Sequence, residues 1–214
     1  MNYYSTTNAA DFNGLRINTG NEGQFFCYDI ILQKIHERIQ LMTKYSRVMF
    51  VRADLRLPHD HQPSGNNEEV SHLFKIMKEN ARTHNVTFHF VWVRESSPDG
   101  KPHYHLVILL DASRVSNYVA FLNELERVWG HVLNCNATGL VHRCETDQFG
   151  NYTGNGIILQ QPTRQATGEE RAAQEHDFWS KLNWITEWAS YLAKVRQKES
   201  TPHRVRRFGA SQLD

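Results

Sequence analysis

Two strand-like segments joined by a short turn constrain the fold of this 214-residue chain more than any other feature. Residues 86–95 (VTFHFVWVRE) and 102–110 (PHYHLVILL) are rich in β-branched and aromatic residues, which favour strands. The residues between them include Pro98-Asp99-Gly100, which is typical of a tight turn, so the pattern predicts an antiparallel hairpin. Because both segments are nearly continuous in apolar residues, the sheet is expected to be covered on both faces.

Further periodic segments place helices and strands around this hairpin. Helices are predicted over residues 28–45, 68–83, 115–129 and 175–198, and strands over 48–57, 140–144 and 156–160, the last two as a pair around a turn rich in Gly and Asn. In the first of these strands, apolar residues alternate with Arg52, Asp54 and Arg56, which lie on the opposite face. The chain shows no internal repeat, so we predict one α+β domain. Its core is a central antiparallel sheet of about five strands with packed helices.

The two ends of the chain differ in composition from the predicted domain. Residues 1–24 are polar and are expected to be a flexible N-terminal segment, the domain is predicted to span 25–200, and 201–214 are predicted to form a basic C-terminal tail. The start lacks the apolar stretch of a signal peptide, and no run approaches the ~20 apolar residues that a membrane span needs. We therefore expect no membrane association.

Cysteine usage points to a reducing compartment. Cys27, Cys135 and Cys144 are odd in number and widely spaced. They form neither a disulfide framework nor a spacing typical of metal ligands. The expected location is the cytoplasm.

The sharpest chemical signal is His103-Tyr104-His105 on the second strand of the hairpin. Two histidines separated by one residue project from the same face of a strand, where both imidazoles can bind one divalent ion, while Tyr104 points the other way. Glu95 ends the partner strand just before the turn, so pairing should bring its carboxylate beside His103. Two imidazoles and one carboxylate leave positions open for water or phosphate oxygens, whereas a structural zinc site needs a fourth protein ligand.

Other interpretations of these histidines stay open. In a chain with twelve histidines, a pair at this spacing arises easily by chance, and both residues could simply be hydrogen-bonded within the strand. A second pair, His59 and His61, has the same spacing, but it lies among Pro, Ser, Gly and Asn in a predicted loop. Side chains there are not held at a fixed geometry, so His59 and His61 are the weaker candidates.

The last predicted helix carries a second chemical signal. One of its faces is apolar, and the opposite face carries Glu187, Tyr191, Lys194 and Lys198. Tyr191 and Lys194 are three residues apart and therefore adjacent on a helix. A phenol has a pKa near 10, so its oxygen becomes a good nucleophile only when a neighbouring charge assists it. The alternative is an ordinary solvated helix face.

Basic residues cluster at the end of the chain, although the net charge is only +1. The cluster consists of Lys194, Arg196, Lys198, Arg204, Arg206 and Arg207, with Glu199 as its one acid. Such clusters often bind phosphates, and the alternative is a solvated tail.

These pieces together resemble the HUH endonucleases, which carry His-hydrophobic-His on the central strand of an antiparallel sheet and one or two catalytic tyrosines on a later helix. The first motif stands here as His103-Tyr104-His105, and the second as Tyr191-Leu192-Ala193-Lys194. Within that superfamily the chain is most similar to the inovirus-type (YagK/YfjJ-type) replication proteins of phages and prophages. This closer resemblance covers about residues 45–211 and includes Trp92-Val93-Arg94-Glu95 and the ending Arg207-Phe208-Gly209-Ala210-Ser211.

The resemblance implies roles for particular residues. His103, His105 and Glu95 would bind Mg²⁺ or Mn²⁺, Tyr191 would attack the scissile phosphate and become joined to the 5′ end of the DNA, and Lys194 would neutralise the phosphate. The residue one turn after Tyr191 is Val195, which places the chain in the single-tyrosine class. Weaker candidates for DNA contact are Arg52, Asp54, Lys198, Arg204, Arg206 and Arg207.

The implied function is the initiation of rolling-circle replication on single-stranded DNA at an origin that can form a hairpin, with host helicase and polymerase as further partners. The chain lacks the phosphate-binding motif of a fused helicase. Three alternatives remain open: a single-tyrosine transposase or relaxase, a DNA-binding regulator without catalysis, and a metal-dependent hydrolase that uses water. Only the first of these needs Tyr191.

Overall fold

The computed structural model describes residues 4–96, 100–146, 151–196, 198 and 201–213. In chain order the elements are β1 (Thr6–Thr7), β2 (Asp11–Phe12), β3 (Leu15–Arg16), β4 (Cys27–Tyr28), α1 (Asp29–Met42), β5 (Arg47–Leu55), α2 (Glu68–Thr83), β6 (Phe88–Ser96), β7 (Pro102–Asp111), α3 (Tyr118–Leu133), β8 (Val141–Arg143), β9 (Ile157–Gln160), α4 (Gly168–Ser190), a 3₁₀ turn (Tyr191–Ala193) and β10 (Phe208–Ala210). No helix in the described ranges is long and apolar enough to cross a membrane.

The central sheet has six strands, all paired antiparallel, in the order β10-β6-β7-β5-β8, with β9 also paired to β5. The predicted hairpin is formed by β6 and β7, and its register places Glu95 opposite His103. Two of the predicted turn residues, Pro98 and Asp99, lie outside the described residues. The predicted α+β fold with an antiparallel sheet and packed helices is confirmed.

A hydrophobic core lies on each face of the sheet, as the nearly continuous apolar strands predict. On one face, Tyr104, Leu106 and Ile108 pack with the apolar sides of α2 and α3. On the other face, Val107 and Leu109 pack with α1 and α4. His103 and His105 alternate in step with this second set, so they lie on the face of α1 and α4.

The strands β8 and β9 do not pair with each other, which corrects the prediction. Both pair with β5, β9 along Arg47–Phe50 and β8 along Ala53–Leu55. Between these stretches the side chain of Asn155 accepts from the backbone N–H of Arg52 at 3.0 Å and donates to its carbonyl at 2.6 Å. The Asn155 side chain thus makes the two hydrogen bonds that a paired strand would otherwise make to Arg52. Local sequence patterns do not reveal this contact.

The last helix also ends earlier than predicted. It stops at Ser190, Tyr191–Ala193 form a 3₁₀ turn, and Lys194 is extended and bridges to Cys27. The next N–H, that of Val195, donates to the carbonyl of Phe26 at 2.9 Å. Backbone pairing with a segment far away in the sequence therefore competes with the helix and ends it.

Both ends of the chain contribute to the packed structure. Leu15 and Ile17, within the segment predicted to be flexible, are buried against α1 and α4. At the other end, part of the predicted basic tail forms β10 and pairs with β6 as an edge strand. A Cβ atom at Gly209 would lie 2.5 Å from the Trp92 ring, so the close approach of β10 needs glycine there.

Candidate metal centre and tyrosine cleft

Three adjacent strands place polar side chains at one end of the sheet, on the face covered by α1 and α4. The register sets Asp54 on β5 opposite His105 on β7, and Glu95 on β6 opposite His103 on β7. In an antiparallel sheet, directly opposed residues project from the same face. Strand pairing alone therefore brings two imidazoles and two carboxylates together.

Asp54, His103 and His105 offer ligand atoms that all lie within 4.8 Å of one another. An Asp54 oxygen, Oδ1, is 2.6 Å from His105 Nδ1, and the other, Oδ2, is 3.9 Å from His103 Nε2. The Nε2 atom of His103 is buried and has no hydrogen-bond partner among the described residues. An unpaired imidazole nitrogen facing a carboxylate fits a divalent cation with mixed nitrogen and oxygen ligands.

Asp54 is the candidate ligand that the sequence did not reveal, since the sequence suggested only a weak role in DNA contact for this residue. The available signal was an acidic residue on the polar side of a strand whose other side is apolar. Only the pairing of β5 with β7 shows that this side meets the histidines.

Glu95, predicted as a metal ligand, belongs to neither candidate group of ligand atoms among the described residues and instead contacts His105. Its Oε2 is hydrogen-bonded to His105 Nε2 at 3.0 Å, and its Oε1 accepts from the ammonium of Lys198 at 2.5 Å. Carboxylates that bind the far nitrogen of a ligating histidine fix the orientation and tautomer of the ring. The side chain of Lys198 is fully buried in this ion pair. It is therefore not available for the DNA contact that the sequence suggested.

The charges of these groups depend strongly on one another. Burial alone would raise the pKa of the Asp54 carboxyl, but the hydrogen bond and charge of His105, with Arg52, hold it well below its usual range. Glu95 behaves similarly: burial opposes the effect of His105 and Lys198, which lower its pKa to about 2. For His105 the two carboxylates outweigh burial and raise the pKa. For His103, burial and the neighbouring His105 lower it, which favours the neutral form that binds metals.

Tyr191 lies beside this cluster, in a cleft of about 430 Å³ that Asp54 and His105 also line. Its ring centroid is 5.6 Å from that of His105, and the two rings meet edge to face. The Lys194 ammonium lies 5.0 Å from the same tyrosine ring, although Lys194 is not on the helix. Tyr191 and Lys194 are therefore close, as predicted, but the 3₁₀ turn between them brings them together and not an α-helix.

Cationic groups surround the tyrosine on several sides. The Arg52 guanidinium carbon is 5.6 Å from the Tyr191 ring centroid, but the group is buried, and it donates to the Trp188 carbonyl at 3.0 Å. Burial, with a smaller contribution from nearby Arg196, lowers the pKa of Lys194 to about 8. The Lys194 ammonium also lies 4.2 Å from the ring of Phe25, which lines the same cleft.

The basic residues near the C-terminus differ in their exposure. Arg204 and Arg206 are exposed, and the Arg206 guanidinium lies 5.8 Å from the Trp92 ring. Arg207 is half-buried and donates to the Tyr28 hydroxyl at 3.4 Å. Its carbonyl accepts from the N–H of Arg94 at 2.7 Å, which places this segment at the end of the sheet that carries Glu95.

A cysteine lies near the candidate metal centre, although the spacing of the three cysteines in the sequence does not indicate metal binding. Cys144, His142 and Asp54 form a second group whose ligand atoms lie within 4.8 Å of one another. In the part of the chain that the structure describes, neither His59 nor His61 belongs to such a group. Asp54 is shared by both groups and is therefore the central residue of the site.

Comparison with known proteins gives one result. The family model of the YagK/YfjJ C-terminal domain matches residues 7–211, which is nearly the whole chain. No curated protein matches the chain significantly.

Proposed function

The chain belongs to the YagK/YfjJ C-terminal domain family, and from this premise we propose that it is a metal-dependent, single-tyrosine enzyme of the HUH type that nicks and rejoins single-stranded DNA. One observation carries the proposal: Tyr191 shares a single cleft with Asp54 and His105, two of the three residues that form the candidate metal cluster with His103. The resemblance of the two sequence motifs to those of HUH endonucleases supplies the reaction and the substrate class.

Asp54, His103 and His105 would hold Mg²⁺ or Mn²⁺, which would supply Lewis-acid chemistry at the scissile phosphate. The Tyr191 oxygen attacks the phosphorus and the bond to the 3′ oxygen breaks, which leaves the 5′ phosphate on the tyrosine. The proton that the phenol loses is balanced by the proton that the 3′ oxygen gains. Attack by a 3′ hydroxyl on the phosphotyrosine reverses these steps and rejoins the strand.

The residues around Tyr191 prepare it for this attack. The guanidinium of Arg52 lies near the Tyr191 ring and adds positive charge to the wall of the cleft. Lys194, closer still, lies where it can neutralise the phosphate that approaches the tyrosine. Glu95 and Lys198 act indirectly. Glu95 orients His105, and Lys198 holds Glu95 in place. These charges are in place before the substrate binds, so little reorganisation accompanies the reaction.

The biological role that fits best is the initiation of rolling-circle replication at an origin that presents single-stranded DNA. The resemblance to inovirus-type replication proteins supports it. Val195 occupies the position of a second tyrosine, so each turnover in this proposal uses Tyr191 alone. A host polymerase would then extend the free 3′ end while a host helicase unwinds the duplex.

Replacement of Tyr191 by Phe tests the proposal directly. The wild-type protein, incubated with Mn²⁺ and a single-stranded oligonucleotide, should form a covalent adduct that mass spectrometry maps to the Tyr191 peptide. Tyr191→Phe should lower cleavage by at least about 1000-fold, the scale expected when a nucleophile is removed, while Mn²⁺ and DNA still bind. Tyr152→Phe, which alters an exposed tyrosine, is the matched control and should cleave normally.

The other outcomes separate the alternatives. An adduct on another tyrosine would contradict the assignment of the nucleophile. Cleavage without any adduct would favour a hydrolase that uses water. DNA binding without cleavage in either protein would favour a regulatory protein.

A further inference from the structure

Asp54 has a histidine on each side, because β5 lies between two strands at this point. The register sets Asp54 opposite His105 on β7 and also opposite His142 on β8. Cys144 follows His142 by two residues, and its thiol is near the same carboxylate. The second histidine and the cysteine play no part in the chemistry proposed above.

The three side chains are arranged as a set of metal ligands. His142 Nδ1 is 3.9 Å from Asp54 Oδ2 and 3.8 Å from Cys144 Sγ. Cys144 is buried, whereas the side chain of His142 is 53% exposed, so an ion could enter from solvent. These separations are slightly longer than those between ligands on one tetrahedral ion, and a small rotation of the exposed histidine closes them.

The chemistry of the donors distinguishes this group from the first. A thiolate, an imidazole and a carboxylate form a set that suits Zn²⁺, and three protein ligands leave a fourth position open. The first group offers no sulfur, so it lacks the ligand that favours a thiophilic ion. We propose that Asp54, His142 and Cys144 form a second cation site that takes a thiophilic divalent ion such as Zn²⁺.

The two sites would compete for one oxygen atom. Asp54 Oδ1 is engaged by His105, whereas Oδ2 lies 3.9 Å from both His103 Nε2 and His142 Nδ1. An ion bound to Cys144 and His142 takes Oδ2 away from the side that faces His103. Zn²⁺ should therefore inhibit the reaction that Mg²⁺ or Mn²⁺ supports, a consequence that rests on the proposed function, whereas the site itself does not.

Titration with Co²⁺, a spectroscopic substitute for Zn²⁺, tests the site without any activity assay. The wild-type protein should develop the near-ultraviolet absorption of a cobalt–thiolate bond at one equivalent of metal. Cys144→Ser should lose this band and lower the affinity for Zn²⁺ by more than about tenfold, since loss of a direct ligand costs at least as much as loss of its support. Cys135→Ser, at the exposed cysteine, and His103→Ala should both keep the band.

His142→Gln provides a second variant, because replacement of a half-exposed side chain leaves the fold intact even if Cys144→Ser proves unstable. It should also weaken Co²⁺ and Zn²⁺ binding. Absence of the band from the wild-type protein, or its loss in Cys135→Ser instead, would overturn the proposal. In Mn²⁺-dependent cleavage, added Zn²⁺ should inhibit the wild-type protein more strongly than Cys144→Ser. If no cleavage occurs, the proposed function fails while the cobalt spectrum still decides the site.

Discussion

The two His-x-His segments of this protein have the same spacing and different surroundings. His103 and His105 lie on the central strand β7, between strands that bring Asp54 and Glu95 to the same face. His59 and His61 lie in the loop between β5 and α2, where His59 is exposed. His61 Nε2 has one acidic neighbour, Glu69, at 3.6 Å.

The difference shows that two histidines at this spacing form a candidate metal site only where the backbone holds them in place and carboxylates lie beside them. A strand determines which way both histidines point, and paired strands on either side supply carboxylates at set distances. The loop does neither for His59 and His61. The comparison therefore predicts that the two segments respond very differently to substitution.

The largest difference should appear in metal binding. His103→Ala removes an imidazole whose Nε2 has no hydrogen-bond partner among the described residues, so the fold should survive while Mn²⁺ affinity falls by more than about 100-fold. His61→Ala is the matched control and should bind Mn²⁺ as the wild-type protein does. Calorimetric titration measures both. Equal affinity of His103→Ala and the wild-type protein would end the assignment of β7 as the metal strand.

A smaller effect should come from the carboxylate behind each histidine. Glu95→Gln weakens the acceptor at His105 Nε2, and the loss of such outer support typically lowers metal affinity by about 10- to 100-fold. Glu69→Gln makes the same change beside His61 and should leave Mn²⁺ binding unaltered. Retention of full affinity by Glu95→Gln would mean that Glu95 does not orient the ligand.

Much of the fold could be predicted because its signals are local. The hairpin of β6 and β7 followed from two apolar strands around a turn, and the predicted helix over 68–83 coincides with α2. The end of α4 could not be predicted, because Lys194 leaves the helix to pair with Cys27, far away in the sequence. The pairing of both β8 and β9 with β5 could not be predicted either, because it involves contacts of Asn155 with Arg52, which is also far away in the sequence.

The residues of the candidate site likewise fall into those that local patterns predict and those that long-range pairing places. His103, His105 and Tyr191 have local signatures, and the structure brings all three into one region. The places of Asp54 and His142 follow from strand register, which a single sequence leaves open. Glu95 was placed correctly by the hairpin, but its partner atom on His105 depends on side-chain orientation.

A buried histidine of α1, His36, sharpens the comparison, since no ion pair with a carboxylate joins it among the described residues. His36 of α1 packs against Phe12, and within the described chain neither of its ring nitrogens has a hydrogen-bond partner. Burial lowers its pKa from 6.5 to about 4. Because the folded-state pKa is below the unfolded one, the stability that neutral His36 provides is complete above pH 6.5 and is lost as the pH falls towards 4.

Urea denaturation at two pH values measures this contribution. Between about pH 7.5 and pH 5.5 the wild-type protein should lose more free energy of unfolding than His36→Leu, by an amount equivalent to a factor of about ten in the folding equilibrium. The two proteins should differ little in Mn²⁺ affinity, because burial without partners makes no binding site. Parallel pH profiles would show that His36 is not held neutral in the folded state.

The smallest effect concerns the exposed arginines at the sheet end that carries Glu95. If Arg204 and Arg206 contact the phosphates of bound DNA, replacing both with Gln should weaken binding uniformly across sequences, because phosphate contacts carry no sequence information. Each lost contact should lower the slope of log affinity against log salt by about 0.7, since fewer counterions are released from a single strand. Arg82→Gln, which alters an exposed arginine in the last turn of α2, is the matched control and should leave the slope unchanged. Fluorescence anisotropy with a labelled oligonucleotide at several salt concentrations gives both slopes. An unchanged slope in the double variant would restrict DNA contact to the tyrosine cleft, where Lys194 and Arg196 supply the positive charge.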